Sequence, residues 1–232
     1  MIFHDVVTLY TFKAIEYLIA LAFLALFIPF WRYAQSELPA RQPVHAAARP
    51  RLAALVEWFR VAPDAAYHPG HAWARLERPG LVTVGISDFA QKLVGPVARL
   101  DLPPVGGTVG QGVRGWALQV DGKAVDMISP VDGLVAAVNP KVVESPELVN
   151  QDPYGEGWLF RVHAPRCEAN MKGLLTGRLA ARWIEEATDQ LRRRMAPELG
   201  LALQDGGMPV DGIAQAIDPE HWDSVAREFF LS

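Results

Sequence analysis

The residue with the clearest chemical use is Lys123, in the stretch QVDGKAVDMISPVDG from Gln119 to Gly133. A primary amine projected from a tight turn can form a stable amide and so carry a covalent group. The same amine can equally be the solvated flank of a hairpin, and the residue types alone leave both readings open. Asp121 and Gly122 suit the two central positions of a two-residue turn, where both φ angles are positive. That placement makes Lys123 the first residue of the returning strand.

Other reactive side chains form weaker patterns. His68 and His71 are three apart and His163 and Cys167 four apart, but neither pair sits in a ligand motif with further carboxylates or thiolates. Their expected role is packing, so no metal site is assigned. Asp152, Tyr154 and Glu156 in QDPYGEGW offer acids and a phenol without a recognisable substrate site. No phosphate-cradling loop, nucleophile elbow or haem-attachment motif is present. The expectation is a protein that is not an enzyme and has no catalytic residue.

Composition narrows the partners. The chain has 232 residues and a net charge of −4, which gives no electrostatic reason to bind nucleic acid. Arg192, Arg193 and Arg194 suit the negative end of a helix rather than a phosphate contact. Cys167 is the single cysteine, which excludes an intrachain disulfide.

Several elements must position these groups. Tyr17–Trp31, YLIALAFLALFIPFW, is uncharged and lies between Glu16 and Arg32; extended backwards it reads as a membrane-spanning helix over residues 10–31. Arg32, Arg41, Arg49 and Arg51 follow it, which by the positive-inside tendency places the amino terminus outside and the C-terminal domain on the cytoplasmic face. Residues 1–34 are thus read as an anchor in the lipid bilayer, and 35–66 as a linker with a short amphipathic helix carrying Leu52, Leu55, Val56 and Phe59.

Between residues 67 and 165 the text alternates in short strands: LVTVGI, VARLDL, WALQV, AVDMI, LVAAV and GWLFRV, punctuated by glycines and prolines. Residues 166–232 form a helical extension, in which Leu179, Trp183, Ala187 and Leu191 repeat at four. Asp218 and Pro219 provide a cap and a first turn for a last helix bearing Phe229 and Phe230. Trp183, Leu191, Phe229 and Phe230 are the expected interaction residues toward other subunits of a membrane complex.

The words HAW at His71–Trp73, VTVGISDFAQ at Val82–Gln91, LPPVGGTV at Leu102–Val109, SPVDG at Ser129–Gly133 and SPELVNQDPYGEGWL at Ser145–Leu159 together resemble the H-protein of the glycine cleavage system, a relative of lipoyl and biotinyl domains. The resemblance implies a flattened β-barrel or sandwich with flanking helices; with the elements outside it, the expected fold is a single transmembrane helix followed by this mainly β lipoyl-like domain and flanking C-terminal α-helices. It also implies a lysine at an exposed hairpin tip that carries lipoate, whose thiols perform group transfer between partner enzymes.

One feature departs from that pattern. The family's lysine lies seven positions before the serine of the SP turn; counting back seven from Ser129 reaches Gly122, with Lys123 six before it and Gln119 where an acidic residue is usual. The main expectation is therefore a membrane-tethered accessory or docking subunit without a cofactor. The alternative is a lipoyl carrier of a glycine-cleavage-like or related redox or acyl-transfer system, modified at Lys123.

Overall fold

The computed structural model describes residues 13, 15–18, 21–28, 54–195 and 211–231. Two compact units divide the chain, Met1–Arg49 and Pro50–Ser232.

In the first unit the described residues are helical, with Lys13 paired to Glu16 at 3.1 Å. None of the described helices is long and apolar enough to cross a membrane. The expected span over residues 10–31, whose two ends lie outside the described residues, is therefore not supported, and neither is the single-pass topology nor the bilayer attachment drawn from it. The physical reason lies in its length. The uncharged run from Tyr17 to Trp31 has 15 residues, short of the ~20 a bilayer core requires, and lengthening it backwards brings in the Lys13–Glu16 charge pair.

The second unit begins with a hairpin, β1 (Ala54–Val56) and β2 (Phe59–Val61). The sequence pattern there had favoured a helix. The turn instead places Glu57 at φ 53°, a conformation that ends any helix and that glutamate does not advertise. Phe59 and Val61 turn into the core.

A six-stranded antiparallel sheet follows in the order β3-β4-β5-β11-β10-β7, made of Ala66–Tyr67, Ala72–Arg78, Leu81–Ile86, Phe160–His163, Gly133–Val138 and Thr108–Val109. A second sheet has three strands in the order β6-β8-β9: Arg99–Asp101, Arg114–Val120 and Lys123–Ile128. One buried cluster joins them, with Trp116 of β8 edge-on to Phe160 of β11 at 5.2 Å.

Among the described residues no pairing closes these sheets into the expected barrel. Pro103, Pro104, Gly106 and Gly107 interrupt the chain between β6 and β7, and prolines cannot continue a ladder, so the two strands enter different sheets. The fold is correspondingly a mixed α/β one, since helices supply much of the core.

Helix α1 (Asp88–Val94) is capped by Ser87, whose hydroxyl accepts the Ala90 N–H at 3.2 Å. Helices α2 (Pro140–Glu144), α3 (Leu148–Gln151) and α4 (Cys167–Lys172) are short. The long α5 (Gly177–Met195) buries Ala180, Ile184, Ala187 and Leu191, and α6 (Ile213–Ile217) and α7 (Trp222–Phe230) follow. The last helix starts three residues later than Asp218-Pro219 suggested. Asp218 instead accepts the N–H groups of Glu220 and His221 in the turn before it.

The family words fall where the core needs them. Trp73 of HAW is fully buried, and its indole N–H donates to the Pro153 carbonyl at 3.1 Å, tying HAW to DPYGEGW. Gly85 of VTVGIS faces that indole so closely that an added Cβ would lie 2.4 Å from the ring. Tyr154 closes the same region, donating to the Arg60 carbonyl at 2.7 Å and accepting the Asp88 N–H at 3.1 Å.

Candidate functional site

The β8–β9 hairpin turns on Asp121 (φ 48°) and Gly122 (φ 76°), with Val120 and Lys123 opposite each other at its base. This is the two-residue turn whose twist matches antiparallel strands, and it fixes Lys123 as the first residue of β9. Asp121 and Gly122 are exposed, while the Lys123 side chain keeps 36% of its surface. It is the sole lysine between Lys92 and Lys141.

The C-terminal helix meets this amine. β9 is an edge strand of its sheet, and α7 packs beside it. The Lys123 ammonium donates to Asp223 Oδ1 at 2.7 Å and to the backbone carbonyl of Glu220, and it lies 5.8 Å from the centre of the Trp222 ring. Arg227 lies on the other side of the carboxylate, 3.2 Å from Asp223 Oδ2, and reaches the Ala124 carbonyl at 3.4 Å. The hydrogen bond from Lys123, with the neighbouring positive charges, holds the Asp223 carboxyl below its ordinary range against the opposing effect of burial.

The platform under α6 and α7 is built from α1, α5 and the HAW turn. Gly212 N–H donates to the Lys92 carbonyl at 2.8 Å and Gln215 to the Val94 carbonyl at 3.0 Å. Phe230 is fully buried and Phe229 nearly so, its ring 5.4 Å from that of Phe89. His71, with φ 63°, stacks on Phe89 at 4.1 Å and packs against Trp183 at 4.4 Å. Burial, helped by His68, pushes the His71 imidazole down to about 3.

The four expected interaction residues are thus placed within this chain: Leu191, Phe229 and Phe230 are buried in its core, and Trp183 packs against it. Asp152 accepts the N–H groups of Gly155 and Glu156 in its own turn, and Glu156 pairs with Lys141. His71 and His163 lie on different elements, the HAW turn and β11. The residues the sequence reasoning missed are Glu220, Trp222 and Asp223. Their only signal was an acid beside a tryptophan in EHWD, with nothing to indicate a target 100 positions away.

The site is thus a primary amine one step from a hairpin tip, on an antiparallel scaffold. The model of the glycine cleavage H-protein family matches residues 65–187, and the chain belongs to that family. It is 40% identical over 112 residues to the glycine cleavage system H protein of Marinobacter nauticus, covering 48% of this chain and 85% of that one. It is 42% identical over 123 residues to that of Pseudoalteromonas atlantica, covering 53% and 95% respectively. A solved structure of a glycine cleavage system H protein from Mycobacterium marinum is similar at a TM-score of 0.49 and 28% identity, over 55% of this chain and 99% of that one.

Proteins of this family are carriers or accessory proteins, not catalysts. Membership also overturns the expectation of no cofactor, because the family normally bears lipoate. The hairpin itself fits the group: an amide needs a primary amine near a projecting turn, Lys123 supplies it, and an added Cβ at Gly122 would meet nothing within 4 Å. The contacts that hold the amine come from the start of α7 and the turn before it, outside the matched residues.

Proposed function

We propose that this protein is a lipoyl carrier of the glycine cleavage type or of a related redox or acyl-transfer system, with Lys123 as the attachment residue. The observation that carries the reading is the position of this amine at the base of the Asp121-Gly122 turn, on the central family-matched scaffold. Bound through an amide, lipoate would supply a dithiol that accepts and delivers groups or reducing equivalents.

The chain's own contribution is positional. The Val120–Lys123 pair and the ladder behind it fix the root of the arm, while the exposed tip leaves room for a partner enzyme to approach. The partners proposed are other subunits of a glycine-cleavage-like system, because the relatives bear that name. Within this reading, residues 67–165 are the carrier body and 166–232 an extension whose described helices pack against it.

Intact-mass analysis of protein from its native host, with peptide mapping across Lys123, tests the assignment. A lipoyl adduct on the Lys123 peptide is expected, and it should disappear in Lys123→Arg. An unmodified Lys123 in cells whose other lipoyl proteins are modified would refute it.

A further inference from the structure

We propose that the turn before α7 and the first residues of α7 form a clasp on Lys123, closed while the lysine is an ammonium and released when it becomes an amide. The inference rests on Lys123 being the attachment residue, and it concerns how that site is regulated.

Two features of the amine's surroundings depend on its positive charge, and a third on its number of donors. An ammonium has three donors; one is spent on the Asp223 carboxylate and one on the Glu220 carbonyl. The cation also faces the electron-rich surface of Trp222. All three groups come from residues 220–223, beyond the family match that ends at residue 187. The contact is therefore an addition to the carrier scaffold, placed on the one lysine of the hairpin.

Attachment alters each contact. With an activated lipoyl donor, a mixed anhydride or reactive ester, Nζ loses a proton and attacks the acyl carbon. The N–C bond forms, the C–O bond to the leaving group breaks, and a second proton leaves; no electrons are exchanged. The product is a neutral amide with a single N–H, so the ion pair and the cation–ring contact are lost. The acyl carbon must also occupy space beside Nζ, where Asp223 and the Glu220 carbonyl stand. Asp223 retains Arg227 as a partner, so release leaves no carboxylate without a counter-charge.

The clasp is held strongly enough to form and weakly enough to open. Its root is secured by Gly212 on Lys92 and Gln215 on Val94, and by buried Trp222 and Phe230. Its grip on a side chain that is one-third exposed belongs to the modest class of partly solvated ion pairs. The free carrier would thus hold its amine until an attaching enzyme displaces residues 220–223, and the loaded carrier would present an arm beside a loosened start of the C-terminal helix.

The test uses the full chain and the N-hydroxysuccinimide ester of lipoate, with acylation followed by peptide mapping and Lys141 and Lys172 as internal standards. Asp223→Asn should acylate at Lys123 roughly two- to five-fold faster than the parent, the factor expected from losing one such pair, with the standards unchanged. Lys123→Gln, a neutral amide mimic that does not depend on how Asp223→Asn folds, should raise hydrogen exchange in residues 222–230 while leaving β4 and β5 protected. An unchanged acylation ratio together with unchanged exchange in α7 would overturn the clasp. Finding Lys123 unmodified in the native host overturns the attachment reading instead, since rate and exchange are measured without any native modification.

Discussion

The Lys123 ammonium and the Asp223 carboxylate meet at 2.7 Å although 100 positions separate them in the chain. This long-range pair joins the β8–β9 hairpin to a helix outside the family match, and its strength depends on both charges. The folded Asp223 carboxyl is held below its ordinary value of 3.8, chiefly by the Lys123 hydrogen bond. Its contribution is therefore complete above the unfolded value and is lost as pH falls through the depressed folded one. Hydrogen exchange should show α7 loosening in that acidic window ahead of β4 and β5. In Lys123→Gln the acid-dependent step should shrink; a step of the same size would assign it to Asp218 or Arg227 contacts instead.

His71 predicts a different pH response. Burial lowers its imidazole from 6.5 to about 3, so the native state excludes a proton that the unfolded chain takes up. Stability is then complete above pH 6.5 and declines as pH falls toward 3, at about 1.4 kcal/mol per pH unit once below the unfolded value. Urea titrations at pH 7 and pH 5 should show this decline in the parent. His71→Asn tolerates the positive φ and should lose overall stability but respond less to pH; an identical slope would place the proton uptake elsewhere, with His68 the next group to examine.

Asp88 anchors the first hairpin to α1. Its carboxylate is fully buried and accepts the Arg60 N–H at 2.8 Å, the Arg60 guanidinium at 2.9 and 3.1 Å, and Gln91 at 3.0 Å. Asp88→Ala should cost about 3 kcal/mol, the lower part of the range for breaking a buried pair, because Arg60 can still reach water. Arg60→Ala should cost at least as much, since it leaves a buried carboxylate with Lys92 at 3.9 Å as its nearest cation. Denaturant midpoints measure both, and a loss below ~1 kcal/mol in either would contradict the anchoring role.

Much of the scaffold was legible because its words carry packing constraints. Gly85 and Trp73 are read together in HAW and VTVGIS, and the structure shows a glycine that leaves room for an indole. The Asp121-Gly122 turn was legible for the same reason, since two positive φ angles restrict the residue choice. Long-range relations were not. Leu52, Leu55, Val56 and Phe59 fit a helical period, yet the chain reverses at Glu57, a residue with no turn preference. Residues 220–223 gave no indication that they close on Lys123, because their local pattern describes only a helix start. The apolar run from Tyr17 was read as a span by extending its 15 uncharged residues backwards through the Lys13–Glu16 pair, and no described helix has the length and apolarity to support that extension.

Gly85 and Trp73 also allow a packing prediction. Gly85→Ala alone should be destabilising, since its methyl would press into the Trp73 ring from 2.4 Å and a packed core resists overfilling. Trp73→Leu alone should also be destabilising, through a cavity and the lost bond to Pro153. Combined, the two changes should cost less than their sum by about 1 kcal/mol or more, the sign of direct contact. Additive losses in a denaturation cycle would show that the glycine is required for another reason.

The displaced register gives the last prediction, which compares two amines within one chain. Gly122→Lys places an amine at the position seven before Ser129, on the exposed turn and one residue away from the strand that α7 covers. The φ of 76° there makes the substitution strained by about 1 kcal/mol, a local cost at a solvated tip where an added Cβ meets no neighbour. In this variant Lys123 keeps Asp223, Glu220 and Trp222 as partners, whereas the amine introduced at position 122 leaves the tip free of them. Brief treatment with a lipoyl ester should therefore label position 122 ahead of Lys123, and adding Asp223→Asn should narrow the difference by accelerating Lys123 alone. If both positions label equally before Asp223 is changed, the helix does not shield the amine, and the displacement of the lysine has no consequence for its loading.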